Sequence, residues 1–168
     1  MLGYDFDIVI SEAGEERMEG ESPRDMALRL ASLKAEDVSR GSDALTIGAD
    51  TVVDVDGNPF GKPAGREDAV RMLRILSGRA HLVHTGTALA LRGEVVARHA
   101  ETTKVFFGDI ADDEIMSLVG SGEVDDKAGA YAIQGRGALM VERIEGCYYN
   151  VMGLPAYRLN ILLKSFEL

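Results

Sequence analysis

The chain has 168 residues, of which 46% are hydrophobic and 27% are charged, and its formal net charge at pH 7 is −10. This length suits one α/β domain, or two small lobes around one cleft, and the composition is that of an ordinary globular protein rather than a disordered one. The negative charge argues against a nucleic-acid partner, which needs a basic face, but it leaves open a phosphorylated small molecule held by local cations or a metal.

In the first half of the chain, the predicted elements alternate between strand and helix. Apolar, β-branched runs predict strands, and apolar residues spaced three or four apart predict helices. In chain order the predicted elements are a short strand at 6–10, a loop at 11–20 and a helix that begins at Ser22-Pro23. A strand pattern at 44–49 follows and resumes at 51–55 after Asp50, a turn at 56–58 predicts a hairpin, and a helix is predicted at about 66–76.

The second half of the chain continues the same alternation. Its predicted elements are strands at 81–91 and 94–107, a helix at 112–119, a loop at 120–129, short strands at 131–133 and 139–144, and a helix from 155 to about 166. No repeat or long linker divides the chain, so residues 1–168 are expected to form one domain. Because strands and helices interleave, the predicted class is α/β with a mixed sheet.

Cysteine content and hydropathy bear on the compartment. The single cysteine, Cys147, cannot form an internal disulfide, which favours a reducing environment. No stretch approaches the roughly 20 consecutive apolar residues of a membrane span, and the first residues have neither the basic nor the apolar region of a signal peptide. We therefore expect a cytoplasmic protein with no membrane partner.

Asp50 is the first candidate for chemistry. It follows Ile47-Gly48-Ala49 at the end of an apolar strand, and ligands bind at strand ends in α/β folds. Partial burial could raise the pKa of this carboxyl toward that of a useful base, or a divalent cation could hold it ionised. The alternative is an aspartate that only turns a hairpin, and the tetrapeptide alone does not decide between them.

Two lysines and an acidic loop could surround a phosphate or a metal. Lys62 lies in a stiff Gly-Lys-Pro turn and would act as a point charge toward phosphate oxygens, unless it is simply solvated. Lys34, on a mostly apolar helix, points either into a cleft or out to water. Glu12 and Glu15 could hold Mg²⁺, which prefers oxygen ligands, or could merely keep the loop soluble.

The segment 126–135 is the densest in candidate groups. Its charged pair Asp126-Lys127, its small residues and Tyr131 could form a floor for a base and a phosphate. Gln134 both donates and accepts hydrogen bonds, as reading a pyrimidine edge requires. The alternative is a polar turn between strands.

Other common sites are not predicted. His81 and His84 are three apart on a predicted strand, so they would point to opposite faces and could not share a zinc ion. The sequence also lacks a Walker-type phosphate loop, a Gly-x-Gly-x-x-Gly dinucleotide loop and a Gly-x-Ser-x-Gly nucleophile elbow. The usual routes to phosphate binding are therefore missing from the sequence.

Seven segments occur in the order and at the spacing of one known family. They are Glu-Ser-Pro (21–23), Leu-Ala-Ser-Leu-Lys-Ala (30–35), Ile-Gly-Ala-Asp-Thr-Val-Val (47–53), Gly-Lys-Pro (61–63), Met-Leu-Arg-Ile-Leu-Ser-Gly-Arg (72–79), Asp-Lys-Ala-Gly-Ala-Tyr-Ala-Ile-Gln-Gly (126–135) and Tyr-Tyr-Asn-Val-Met-Gly-Leu-Pro (148–155). With them the chain closely resembles, over essentially its whole length, the Maf family of nucleotide pyrophosphatases. The resemblance implies a Maf-like mixed sheet flanked by helices, with two lobes around a central cleft.

The resemblance also implies an activity, the hydrolysis of a nucleoside triphosphate to a monophosphate and pyrophosphate with the help of Mg²⁺ or Mn²⁺. In the family, the aspartate that matches Asp50 is the proposed proton acceptor. The lysines that match Lys34 and Lys62 face the phosphates, and a glutamate near Glu12 or Glu15 belongs to the polar site. Lys127 is a further candidate contact to phosphate or base.

The residues that match Thr51 and Gln134 are specificity positions in the family. This Thr-plus-Gln pattern looks like the branch that acts on dTTP and UTP, including modified uridine nucleotides. Two alternatives are a 7-methyl-GTP pyrophosphatase and a catalytically weak relative with a binding or regulatory role in cell division. Dimers are common in the family, so a homodimer is a candidate assembly.

One part of the family pattern has no counterpart here. Family members begin with a strand, a Ser-x-Ser-Pro-Arg-Arg loop and a helix, and residues 1–6 of this chain match only the end of that helix and the strand after it. The chain is therefore interpreted as N-terminally truncated relative to the family. Either in-frame codons upstream of Met1 encode the loop, or the chain as it stands is expected to have poor turnover and reduced stability.

Overall fold

Helices and strands alternate along the chain as the residue periodicity predicts. The computed structural model describes residues 3 and 5–166. In chain order its elements are α1 (Pro23–Ser39), β1 (Thr46–Val55), β2 (Asn58–Phe60), α2 (Arg66–Leu76), β3 (Ala80–Leu91), β4 (Glu94–Phe107), α3 (Asp112–Ser121), β5 (Val141–Glu145), α4 (Tyr148–Val151) and α5 (Ala156–Lys164). Short 3-10 helices at Ala128–Ala130 and Gly135–Met140 precede β5.

The strands form one sheet in the order β2-β1-β3-β4-β5. The α/β class with flanking helices is confirmed, but the pairing differs from the predicted mixed sheet, because every pair among the described residues is antiparallel. Tight turns between β1 and β2 and between β3 and β4 make hairpins, and a hairpin can join only antiparallel strands. In this register Asp50 lies opposite Gly86, and Thr51 lies opposite Thr85. Asp50 is therefore in the middle of β1 and not at the strand end where it was predicted, because residues 46–54 pair with β3 without a break.

Helix α1 packs very closely on one face of the sheet. Its predicted start is confirmed, since the Oγ of Ser22 accepts a hydrogen bond from the N–H of Asp25 at 3.1 Å. A Cβ atom at Gly48 would overlap the carbonyl oxygen of Ala31, and one at Gly86 would overlap that of Ala27. Glycine at both strand positions therefore lets the backbone of α1 rest directly on β1 and β3.

The opposite face of the sheet carries the main apolar core. Helices α2 and α3 cover it, and their buried side chains meet inward residues of the three long strands: Val53, Val55, Met72, Leu73, Leu76, Val83, Val105, Phe107, Ile115 and Leu118. Leu159 and Leu163 of α5 extend the apolar packing over Leu89. None of the helices within residues 5–166 combines the length and the apolar character needed to cross a bilayer.

Two predicted strands are absent, and both corrections have a physical cause. Residues 6–10 have no regular secondary structure and pair with no strand among the described residues, and Phe6, Ile8 and Ile10 are 72%, 85% and 88% exposed. An apolar run becomes a strand only where a partner edge is available. At 131–133, the preceding Gly129 and Ala130 have positive φ angles of 69° and 59°, which turn the chain away from a ladder.

Boundary differences elsewhere are small. The strand predicted at 139–144 is β5 at Val141–Glu145, because a 3-10 helix extends to Met140. The predicted helix end at the start of the chain includes Met1, Leu2 and Tyr4, which lie outside the described residues.

Candidate active site

A cleft of about 610 Å³ lies between α1, β1, the loop after β2 and the segment that contains residues 126–134. It contains all the predicted site residues except Glu12: Glu15, Lys34, Asp50, Thr51, Lys62, Lys127 and Gln134. The packing of these elements thus brings together groups that are far apart in the sequence.

The cleft crosses a free edge of the sheet. Strand β2 pairs only with Val53–Val55 of β1, so residues 46–52 have no partner on that side within the described part of the chain. Neighbouring residues on a strand point to opposite faces, and here Asp50 points toward α1 while Thr51 points toward α4. One ligand lying across this edge can therefore reach both side chains.

An ion-pair cluster occupies the α1 side of the edge. The Nζ of Lys34 donates to the Oδ1 of Asp50 at 2.6 Å and lies 2.7 Å from the Oε1 of Glu15. The Asp50 side chain is 13% exposed, whereas that of Glu15 is 56% exposed. The contact between α1 and Gly48 places Lys34 there, because Asp50 follows Gly48 by two residues on the same face.

This environment separates the ionisation of the three groups. Burial raises the pKa of the Asp50 carboxyl above its ordinary value, although the Lys34 ammonium acts in the opposite direction. Burial disfavours the charged form of Lys34, but its hydrogen bonds with Asp50 and Glu15 outweigh that effect and raise its pKa. The hydrogen bond from Lys34 lowers the pKa of Glu15. The cluster thus combines a lysine that stays charged with a mostly buried aspartate whose pKa is raised.

The carboxylates suit a hard divalent cation. Glu15 and Asp50 both contact the Lys34 ammonium, so their carboxylates lie close together. Mg²⁺ and Mn²⁺ prefer oxygen donors of this kind. Glu12 lies elsewhere: it is exposed, and its backbone N–H donates to the Oδ2 of Asp37 at 2.8 Å. Residues 5–166 hold no cluster of three or more His, Cys, Asp or Glu side chains suited to a metal, so phosphate oxygens would have to complete the coordination.

Two further lysines face the cleft from its other walls. Lys62 is exposed in the loop after β2, and this loop is tied to the opposite wall by a hydrogen bond from the N–H of Gly129 to the carbonyl of Gly61 at 3.0 Å. The Nζ of Lys127 donates to the Oδ2 of Asp126 at 2.8 Å. Lys127 is thus paired with a carboxylate, as Lys34 is, whereas Lys62 forms no ion pair among the described residues, which makes Lys62 a stronger phosphate candidate than Lys127.

A buried polar chain supports Thr51 on the α4 side. The hydroxyls of Thr51 and Thr85 lie 2.9 Å apart, and the hydroxyl of Thr85 donates to the backbone carbonyl of Asn150 at 2.8 Å. Asn150 is fully buried, and its Nδ2 donates to the carbonyl of Val83 and to the Oγ1 of Thr103. Neither Thr85 nor Asn150 is predicted from the sequence to have a role, because nothing in the local pattern links them to residue 51.

His81 and His84 point to opposite faces of β3, as their spacing predicts. The Nε2 of His81 lies 2.8 Å from the hydroxyl of Tyr131, whereas His84 contacts Asp54 and Thr102 on the opposite face. Burial, with a smaller effect from Arg79, lowers the pKa of His81 to about 4, so this ring is neutral near pH 7. The buried His81–Tyr131 pair supports the wall of the cleft just before Gln134.

Comparison with known proteins matches this chain to one family. The family described as Maf-like protein matches residues 1–166. A dTTP/UTP pyrophosphatase of Carboxydothermus hydrogenoformans is 47% identical over 163 residues, which cover 96% of this chain and 87% of that protein. A protein of the same name from Acetivibrio thermocellus is 46% identical, and the aligned residues cover 98% of this chain and 86% of that protein. A third, from Geobacter metallireducens, is 49% identical, with 91% of this chain and 81% of that protein covered. The chain belongs to the Maf family.

Proposed function

We propose that the protein hydrolyses nucleoside triphosphates to monophosphates and pyrophosphate, with dTTP and UTP as its preferred substrates. The observation that carries the proposal is Asp50, a mostly buried carboxylate of raised pKa that lies 2.6 Å from the Lys34 ammonium in a nucleotide-sized cleft. Relatives that are 46–49% identical over most of the chain are dTTP/UTP pyrophosphatases, which supports the choice of substrate.

In the proposed reaction Asp50 accepts a proton from the attacking water. The water oxygen bonds to the α-phosphorus, the bond from that phosphorus to the α–β bridging oxygen breaks, and pyrophosphate leaves with the electron pair. Reactions of this type depend mainly on positioning and charge neutralisation, which Lys34 and Lys62 supply toward the phosphates. Mg²⁺ or Mn²⁺, held beside Glu15, would add positive charge at the same oxygens.

The base of the nucleotide binds on the other side of the sheet edge, near α4. Thr51 and Gln134 both line the cleft, and their hydroxyl and amide groups can pair with the polar edge of a pyrimidine. Lys127 lies on the same wall and is a candidate contact for base or phosphate. This division places the phosphates near α1 and the base near α4.

The test is pyrophosphate release from a panel of dTTP, UTP, CTP, ATP, GTP and 7-methyl-GTP, with Mg²⁺ or Mn²⁺ and with EDTA as the metal-free control. We expect release that depends on the metal and is fastest with dTTP and UTP. Preference for 7-methyl-GTP would overturn the substrate assignment. Nucleotide binding with no release from any member would overturn the enzymatic proposal in favour of a binding or regulatory role.

The protein is also proposed to act in the cytoplasm on free nucleotides, as a homodimer and without nucleic acid. The charge of −10 supports the last point. Exposed aromatic side chains at Tyr149 and Tyr157, 55% and 70% accessible, support an interface on the α4–α5 side. Light scattering of the purified chain measures the mass, and a monomer at micromolar concentration would contradict the dimer.

The pH dependence of turnover should report the pKa of Asp50. A base acts only when deprotonated, and burial raises this pKa above 3.8, so we expect the acidic limb of kcat/KM above that value. Lys34→Met removes the ammonium that favours the ionised carboxylate, so the limb should move to still higher pH. Lys104→Met is the control, because Lys104 is exposed on β4 and lies outside the cleft. Its acidic limb should stay at the same pH as in the unmodified protein. A limb that is unmoved or lower in Lys34→Met would contradict this coupling.

A further inference from the structure

The hydrogen bonds behind Thr51 have a fixed direction. A backbone carbonyl can only accept, so the single hydroxyl proton of Thr85 goes to the carbonyl of Asn150, 2.8 Å away. With that proton committed, Thr85 can only accept at its 2.9 Å contact with Thr51. The hydroxyl of Thr51 must therefore donate its own proton to Thr85.

This arrangement leaves Thr51 with only lone pairs to offer to the cleft. Thr85 and Asn150 are each 0% exposed, so water cannot take over either position. The Asn150 side chain is held in turn by the carbonyl of Val83 at 2.9 Å and the Oγ1 of Thr103 at 3.0 Å. Because Asn150 is buried and held by these hydrogen bonds, the Thr51 hydroxyl acts as a hydrogen-bond acceptor toward a ligand.

A hydrogen-bond acceptor distinguishes between pyrimidines. Uracil and thymine carry a hydrogen on ring nitrogen N3, between two carbonyl groups, whereas N3 of cytosine carries a lone pair. An acceptor that faces N3 forms a hydrogen bond with uracil or thymine. Against cytosine, the same acceptor and N3 would each present a lone pair. A site built to pair with an N–H disfavours an analogue that lacks it, because its own polar group is then left without a partner.

We propose that Thr85 is a positioning residue that sets substrate specificity: by accepting the proton of Thr51, it makes the cleft select nucleotides whose base has an N3–H, and reject those of cytosine. The proposal rests on the proposed function in that Thr51 faces the base, and it places the Thr51 hydroxyl at N3 of that base. It assigns the selectivity to the direction of a buried hydrogen bond rather than to Thr51 alone.

The test is the ratio of kcat/KM for UTP over CTP in Thr85→Val, which keeps the side-chain shape and removes the hydroxyl. The Thr51 hydroxyl is then able to turn and donate toward cytosine N3, so we expect the ratio to fall by about tenfold. Thr85→Ser keeps a hydroxyl and should restore most of the ratio. Thermal unfolding shows whether Thr85→Val still folds. If it does not, Thr85→Ala also removes the hydroxyl and serves as the second variant.

Thr87→Val is the matched control. Thr87 is also on β3, two residues further along on the same face, and is also 0% exposed, but its hydroxyl has no hydrogen-bond partner within the described residues. Its replacement makes the same chemical change in the same strand without touching the polar chain. The UTP-to-CTP ratio of this variant should equal that of the unmodified protein.

Binding of UTP and CTP in EDTA, measured by calorimetry, gives the corresponding ratio of affinities without turnover. It separates the two proposals, since missing pyrophosphate release by the unmodified protein counts against the function and not against the selectivity. In a Thr51→Val background, Thr85→Val should change the ratio no further, because Thr85 acts through Thr51. An unchanged ratio in Thr85→Val, an equal fall in Thr87→Val, or equal binding of UTP and CTP by the unmodified protein would overturn the inference.

Discussion

Asp50→Asn is expected to lower kcat by about a thousandfold while the protein still binds UTP. The amide has nearly the shape of the carboxylate but cannot accept a proton from water, and general-base catalysis contributes about a hundredfold to ten-thousandfold. Lys34 and Lys62 stay in place to hold the phosphates, so the loss should be in kcat much more than in affinity. Single-turnover pyrophosphate release and calorimetric binding measure the two quantities separately.

Asp54→Asn is the control for this prediction. Asp54 is on the same strand and the same face, and its side chain is 12% exposed against 13% for Asp50, but it contacts His84 and does not line the cleft. We expect the turnover of Asp54→Asn to stay within about twofold of that of the unmodified protein. If Asp50→Asn keeps more than a tenth of the activity, Asp50 is not the proton acceptor. An equal loss in Asp54→Asn would point to damage to β1 instead.

Local sequence signals were sufficient for much of the fold. The cap at Ser22 and the turn at 56–58 each act within a few residues, and α1, the turn after β1 and the long strands β3 and β4 are present where they were predicted. These features depend on backbone preferences and spacing that a short window contains. The predicted mixed sheet was wrong because strand direction depends on which strands meet, and no short window contains that information.

The residues of the site were easier to predict from the sequence than the contacts between them. Lys34 and Asp50 were each predicted with an alternative left open, because neither segment alone shows that α1 lies on β1. Their 2.6 Å contact follows from the glycines at 48 and 86, whose role emerges only when the helix is in place. Thr85 and Asn150 were missed for a related reason: buried polar side chains acquire meaning from partners that are distant in sequence.

Gly48→Ala is expected to destabilise the protein by about 3 kcal/mol in urea unfolding. The added methyl group would overlap the carbonyl oxygen of Ala31 and crowd the N–H of Ala35, which belong to helix backbone and cannot rotate away. Gly120→Ala is the control: Gly120 is in α3, and a Cβ atom there meets nothing within 4 Å. That variant should be neutral or more stable by up to about 1 kcal/mol, since alanine favours a helix.

The same substitution should also alter the chemistry. Any shift of α1 away from Gly48 carries Lys34 away from Asp50, two residues along the same face, and so removes part of the interaction that favours the ionised carboxylate. In the fraction that still folds, the acidic limb of kcat/KM should therefore move to higher pH, in the same direction as in Lys34→Met. Unchanged unfolding in Gly48→Ala would contradict the close packing, and an unmoved limb in a destabilised variant would show that α1 does not set the basicity of Asp50.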